Sequence, residues 1–159
     1  MKHITVDLGN TLFDRRLPKI PVYQESVYQL FRDAFGVLSG HKYAGDKISV
    51  ISYIPLGAES RIMFNLCHHH IVPRLVNSAD VHFCYSRKSK GVIAAEIGSS
   101  VHIDDRVEVL NAINDTGATP EKILFIEAYD DRKNTKPNFK RYHVARNWEE
   151  VGAILRSLE

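Results

Sequence analysis

Cysteine is scarce in this chain, with two in 159 residues. Neither Cys67 nor Cys84 stands at metal-ligand spacing, so zinc ribbons, iron–sulfur sites and disulfide scaffolds are excluded as the organising principle. The two are read as reduced core side chains. Long apolar runs are also missing: none approaches the roughly 18–20 residues that span a bilayer. The N-terminal residues show no signal-peptide core, which sets the expectation of a cytoplasmic protein with no membrane partner. Charge of one sign is not in excess either, since a net +2 is too small to imply nucleic acid or a membrane surface by itself. No repeat, low-complexity tract or linker divides the sequence. Its length suits one domain with a real core and leaves little room for two, so residues 1–159 are expected to form a single domain.

What is present is alternation. Short apolar runs suited to strands cover His3–Leu8, Lys47–Tyr53, Val81–Tyr85, Val101–Asp104, Ile123–Glu127 and Tyr142–Ala145. Helical spacing fills Val22–Phe35, with Val27, Leu30, Phe31 and Phe35 on one face, and Glu59–Leu75, Gly91–Ile97, Arg106–Ile113 and Trp148–Leu158. Strands alternating with helices argue for an α/β fold, a doubly wound parallel sheet between two helical layers.

In parallel strands the carboxyl ends share one rim, where open α/β sheets bind ligands. The first strand ends at Asp7, before the turn Gly9-Asn10. The second ends at Ser52, and the fourth runs into Asp104-Asp105. Lys88 and Lys90 precede the helix expected from Gly91. Carboxylates are hard ligands for Mg²⁺, while a hydroxyl and an ammonium can hold phosphate oxygens.

Order and spacing resemble the haloacid dehalogenase superfamily of phosphatases and related hydrolases. The superfamily's first motif, Asp-x-Asp-Gly-Thr-Leu, is similar to Asp7-Leu8-Gly9-Asn10-Thr11-Leu12. Its second is similar to Val50-Ile51-Ser52, its third to Ser89-Lys90-Gly91-Val92-Ile93-Ala94, and its fourth to Ile103-Asp104-Asp105. The resemblance implies a three-layer Rossmann-like fold and a Mg²⁺-dependent phosphohydrolase. Asp7 would be the nucleophile that forms an aspartyl-phosphate. Ser52, Lys90 and Asn10 would bind phosphate, Ser52 and Lys90 as part of the catalytic set. Asp7, the Gly9 carbonyl, Asp104 and Asp105 would hold the metal. Lys88 is the alternative to Lys90, and helix capping is the alternative duty for Asp105.

One departure bears on activity. The superfamily's second aspartate, its general acid/base, is Gly9 here. Such catalysis is typically worth about 10²–10⁴-fold. The expectation is therefore a weak or specialised enzyme. The alternative is a catalytically impaired module that binds a phosphorylated ligand, a nucleic-acid end or a protein partner. Asp14 is a second, remoter source of a proton. Asn10, replacing the usual glycine, tolerates a left-handed turn.

Neither Phe13–Asp46 nor Tyr53–Asp80 is long enough for the lid domain common among relatives of this type. No cap is expected, and an open site suits a large phosphorylated substrate. The basic segment 132–141, with Arg132, Lys133, Lys136, Lys140 and Arg141 around Phe139, suits a polyanion or nucleic acid, or is a solvated loop. Cys67-His68-His69-His70 places its side chains consecutively on a helix, whereas zinc ligands converge.

Overall fold

The computed structural model describes residues 1–128 and 136–158. Six parallel strands form its central sheet: β1 (His3–Val6), β6 (Lys47–Tyr53), β7 (Val81–Cys84), β8 (Val101–Asp104), β9 (Glu121–Phe125) and β10 (His143–Ala145). Their order is β10-β9-β8-β1-β6-β7, so the chain reverses its winding direction at β1. Pairings such as Val6↔Val50 and Val6↔Ile103 bring the carboxyl ends of β6 and β8 to either side of Asp7.

Helices cover both faces. Helices α1 (Ala34–Tyr43), α2 (Glu59–His68) and α5 (Trp148–Ser157) pack Leu38, Leu66, Trp148 and Leu155 against Ile4, Val6 and Val50. Helices α3 (Arg87–Glu96) and α4 (Val107–Thr116) close the other face, where Ala94, Val109 and Ile113 meet Ile51. The doubly wound three-layer arrangement expected from the alternation is present. Gly91 lets α3 and α4 approach: a Cβ there would lie 2.4 Å from the Ala112 carbonyl oxygen. Among the described residues no helix is long and apolar enough to cross a membrane.

Residues 13–35 depart from the sequence expectation. In place of a helix over Val22–Phe35 lie two antiparallel ribbons, β2 (Phe13–Asp14) with β5 (Gln29–Leu30) and β3 (Ile20–Val22) with β4 (Glu25–Val27). The periodic Val27 and Leu30 are strand partners of Ile20 and Phe13. Tyr23 (φ 55°) and Asp33 (φ 64°) take left-handed backbone, which a right-handed helix cannot continue through. The helix starts only at Ala34. Phe31 and Val27 still reach the interior, so the apolar pattern reports burial while misreporting the element. Lys88 and Lys90 likewise lie inside α3, which begins earlier than expected because Ser86 caps it, its hydroxyl accepting from the Ser89 amide at 3.2 Å.

Candidate active site

The rim at the winding reversal holds a cleft of about 250 Å³. At its base β1 ends, the Asp7 amide donating to the Ile103 carbonyl at 3.0 Å. Asn10 then turns the chain with φ 59°, its side-chain oxygen accepting from the Arg15 amide at 3.2 Å. This is the left-handed conformation for which asparagine is the tolerant choice after glycine.

Lys90 is the centre of the charge arrangement. It is 2 % exposed, and its ammonium donates to Asp7 Oδ1 at 2.5 Å and Asp104 Oδ2 at 2.8 Å. Lys88 is exposed. Lys90 directly precedes Gly91, where α3 packs closely on α4. Asp104 is held from two further directions. Its Oδ1 takes the Arg106 amide at 2.9 Å, and His102 Nε2 lies 3.3 Å from its Oδ2. Asp105 stands next to it, also buried. It does not cap α4, whose cap position is Arg106 with no side-chain cap bond.

One ligand oxygen from each of Asp7, Asp104 and Asp105 lies within 4.8 Å of the others. Three carboxylates facing one ammonium leave net negative charge in a buried place. Burial raises the Asp7 pKa against the pull of Lys90. Burial, then Asp104 and Asp7, push Asp105 up to about 8. Burial also works against charge on Asp104, but Lys90 and His102 overcome it and hold its carboxyl below the usual range. Lys90 is raised above its ordinary value, because Asp104 and Asp7 outweigh the desolvation that opposes it. A hard divalent cation fits this donor set: carboxylate oxygens at one point, with charge left to neutralise.

The structure thus brings together Asp7, Lys90, Asp104 and Asp105, with Gly9 and Asn10 on the cleft wall. Ser52 is buried at the end of β6, and the side chains that line the cleft there are Tyr53 and Ile54. Asp14 does not lend a proton to this cleft. Arg16 grips both its oxygens at 2.8 and 2.7 Å, and that bond holds its carboxyl below the usual range. His69 serves packing, since its Nε2 lies 2.5 Å from the Tyr28 carbonyl and so ties the ribbons to α2. Among the described residues the aspartate trio is the one group placed to hold a metal.

Sequence reasoning missed two parts of the site. His102 is fully buried, its Nδ1 2.8 Å from the Thr5 hydroxyl. Its signal was available, because residues two apart in a strand share a face and His102 precedes Asp104 by two. The second part is cationic: Arg15, Arg61, Arg87 and Arg106 all line the cleft. They come from four separate segments, and no spacing rule collects them.

The basic segment 132–141 is described only from residue 136, so Arg132 and Lys133 lie outside the described residues. In the rest, Arg141 pairs with Glu121 at 2.6 Å, and Phe139 packs edge-on against Tyr142 and beneath the Lys122 ammonium.

No protein-family model matches the sequence, and no curated protein does. Solved structures do match. D,D-heptose 1,7-bisphosphate phosphatase from B. bronchiseptica, complexed with magnesium and phosphate, superposes with a TM-score of 0.68 at 12% identity, each chain covered over 100%. A haloacid dehalogenase-superfamily hydrolase from Ehrlichia chaffeensis gives 0.62 at 12% identity, covering 99% of this chain and 98% of its own. The 3-deoxy-D-manno-octulosonate 8-phosphate phosphatase from Moraxella catarrhalis, in complex with magnesium, phosphate and KDO, gives 0.60 at 12% identity, over 99% of this chain and 86% of its own. The chain has the fold of these hydrolases.

Proposed function

We propose that the cleft is the active site of a Mg²⁺-dependent phosphohydrolase of the haloacid dehalogenase type, carried by residues 1–159 as one domain without a lid. The observation that carries this reading is the buried Lys90 ammonium held between Asp7 and Asp104, with Asp105 beside them. Two solved neighbours of the same fold hold magnesium and phosphate. Mg²⁺, when bound, supplies charge neutralisation and a point of attachment for a phosphoryl oxygen. Asp7, Asp104 and Asp105, with the Gly9 carbonyl, would hold it.

The chain's own groups do the rest. Asp7 Oδ attacks phosphorus, and the Lys90 ammonium opposes the rise that burial imposes on that carboxyl. Lys90 also offsets phosphate charge beside three acids, and Asn10 on the cleft wall supplies a neutral donor, whereas Ser52, buried beside Tyr53 and Ile54, does not line the cleft. His102 acts through Asp104, fixing its carboxylate from behind. A phosphorylated compound is the substrate, and the open cleft admits a large one.

Asp7→Asn tests the mechanism. The substitution removes the nucleophile and should abolish turnover of any phosphorylated substrate the wild type accepts, while tungstate binding persists. Turnover that survives Asp7→Asn refutes the reading. One observation favours a second reading, a phosphate-binding module without turnover: Gly9 offers no acid. That reading is supported if wild type and variant hold a phosphorylated ligand equally and neither turns it over.

A further inference from the structure

The space that a side chain at position 9 would use is already taken. A Cβ on Gly9 would lie 2.6 Å from Arg15 Cζ and 2.8 and 2.9 Å from two of its nitrogens. The guanidinium therefore occupies the volume in front of the Gly9 backbone, in the cleft that Asp7 also lines. It is exposed, it lies 5.7 Å from the Tyr28 ring, and it has no salt bridge among the described residues. Arg61 and Arg106 also line the cleft without a salt bridge among the described residues. Arg87 pairs, among the described residues, with Glu108 at 3.6 Å, and its guanidinium lies over the Tyr53 ring. Cations left unpaired around an acidic centre define where ligand charge belongs: the reacting group at the carboxylates, further anionic charge at the arginines.

Arginine cannot replace an aspartic acid as proton donor, because it does not give up its proton at neutral pH. It can stabilise an oxygen that departs already negative. An alkoxide is a poor fit for that role, whereas a phosphate oxygen is far less basic and departs as an anion. We propose that this cleft takes a phosphoric anhydride, and that Arg15 receives the leaving phosphate in the place of the missing side chain. The inference rests on the phosphohydrolase reading and names its substrate class. Asp7 Oδ attacks the terminal phosphorus. The bond from that phosphorus to the bridging oxygen breaks, and its electron pair stays on the oxygen, which leaves as a phosphate anion against Arg15. Water then attacks the aspartyl-phosphate, the Asp7 carboxylate is released, and the water's proton goes to the phosphate set free. No acid is required in the first step, which is the step Gly9 leaves without one.

The test measures binding first. Methylenebisphosphonate, which cannot be hydrolysed, and inorganic phosphate are titrated in Mg²⁺ into wild type and Arg15→Gln; the residue is exposed, so the variant folds. The wild type should prefer the bisphosphonate, and the variant should lose about 10–100-fold of that preference, the worth of charge-assisted bonds to one phosphate. An unchanged preference, or a wild type with none, overturns the proposal. Turnover separates it from the reading beneath it. Inorganic pyrophosphate should react faster than glycerol 3-phosphate, and faster than acetyl phosphate, which has a good leaving group and no second phosphate. Glycerol 3-phosphate or acetyl phosphate reacting as fast as pyrophosphate overturns the anhydride proposal and leaves the hydrolase standing. No turnover of any substrate, with the Arg15-dependent preference intact, overturns the hydrolase and with it the leaving-group role of Arg15.

Discussion

Lys90→Met removes one charge and keeps most of the stem that fills the space between α3 and the strand ends. What it leaves is Asp7, Asp104 and Asp105 with ligand oxygens within 4.8 Å of one another and no cation among them. Breaking a buried pair by removing one partner costs about 3–5 kcal/mol, because the remaining charge is desolvated and uncompensated. Lys90 contacts two carboxylates at 2.5 and 2.8 Å, so the upper part of that range applies in metal-free buffer at pH 8. The loss depends on pH. In the wild type Asp104 is held below the ordinary carboxylate range, so its contribution is present above the unfolded-state value and is lost as pH falls through the folded-state value. Without Lys90 its carboxyl rises, so acidic buffer protonates it more readily, which relieves the repulsion. Urea denaturation at pH 8 should therefore show the full deficit, and at pH 5 a markedly smaller one. Millimolar Mg²⁺ at pH 8 should restore part of it, since the ion supplies the missing charge to the folded state alone. An equal deficit at both pH values that ignores Mg²⁺ would show that Lys90 matters for packing, and the electrostatic account of the site would fall.

Asp105 is pushed up to about 8, so the folded state keeps a proton that the unfolded chain releases near pH 4. Metal-free stability should therefore fall as pH rises from about 4 through about 8, and Asp105→Asn should flatten that slope in thermal melts. For the same reason Mg²⁺ binding at pH 7 should release protons, read as a dependence of titration heat on the buffer's ionisation enthalpy. Asp104→Asn should remove most of the Mg²⁺-induced rise in melting temperature; a rise of the same size in the variant would separate Asp104 from the metal. Gly91→Ala would bring a Cβ to 2.4 Å from a backbone oxygen of α4 and should cost about 1–3 kcal/mol, seen as a lower urea midpoint.

The parallel sheet was legible because its strands are buried on both faces and appear as short apolar runs, and β6 and β8 match their expected limits to the residue. Asp7, Lys90 and Asp104-Asp105 were legible for a related reason. Each lies at or just after a strand end or in the first turn of a helix, so topology alone fixes the rim on which it lies. Residues 13–35 were not legible. An apolar residue every three or four positions marks what is buried, and two short ribbons can bury the same set through cross-strand partners. The left-handed Tyr23 and Asp33 that break the helix carry no glycine to announce them. Arg15 was out of reach for another reason: its relation to Gly9 is a contact through space, created by the turn over residues 9–14 and the ribbon that follows.

The buried charges are themselves evidence that the rim is functional. A fold gains little from three carboxylates and an ammonium at 9 % exposure or less, since an apolar group of like volume is often neutral or more stabilising at such a place. Elsewhere along β1, β6 and β8 the same sheet is filled by Ile4, Val6, Val50 and Ile103. Local backbone geometry accounts for little of this cluster: Asp104 Oδ1 accepts the Arg106 amide, but its other oxygen is turned to Lys90. Asp105 leaves α4 without a side-chain cap, and the Asp7 carboxylate is met by Lys90 from 83 residues away. The charges also hold each other in unequal states, Asp104 below the ordinary carboxylate range and Asp105 far above it, which is the separation expected where neighbouring acids have different roles. Around them stand arginines from four segments that share no salt bridge with the trio among the described residues. Acids gathered inward and cations gathered outward leave a gap between them, and a metal-bound anion is what fits both sides of it.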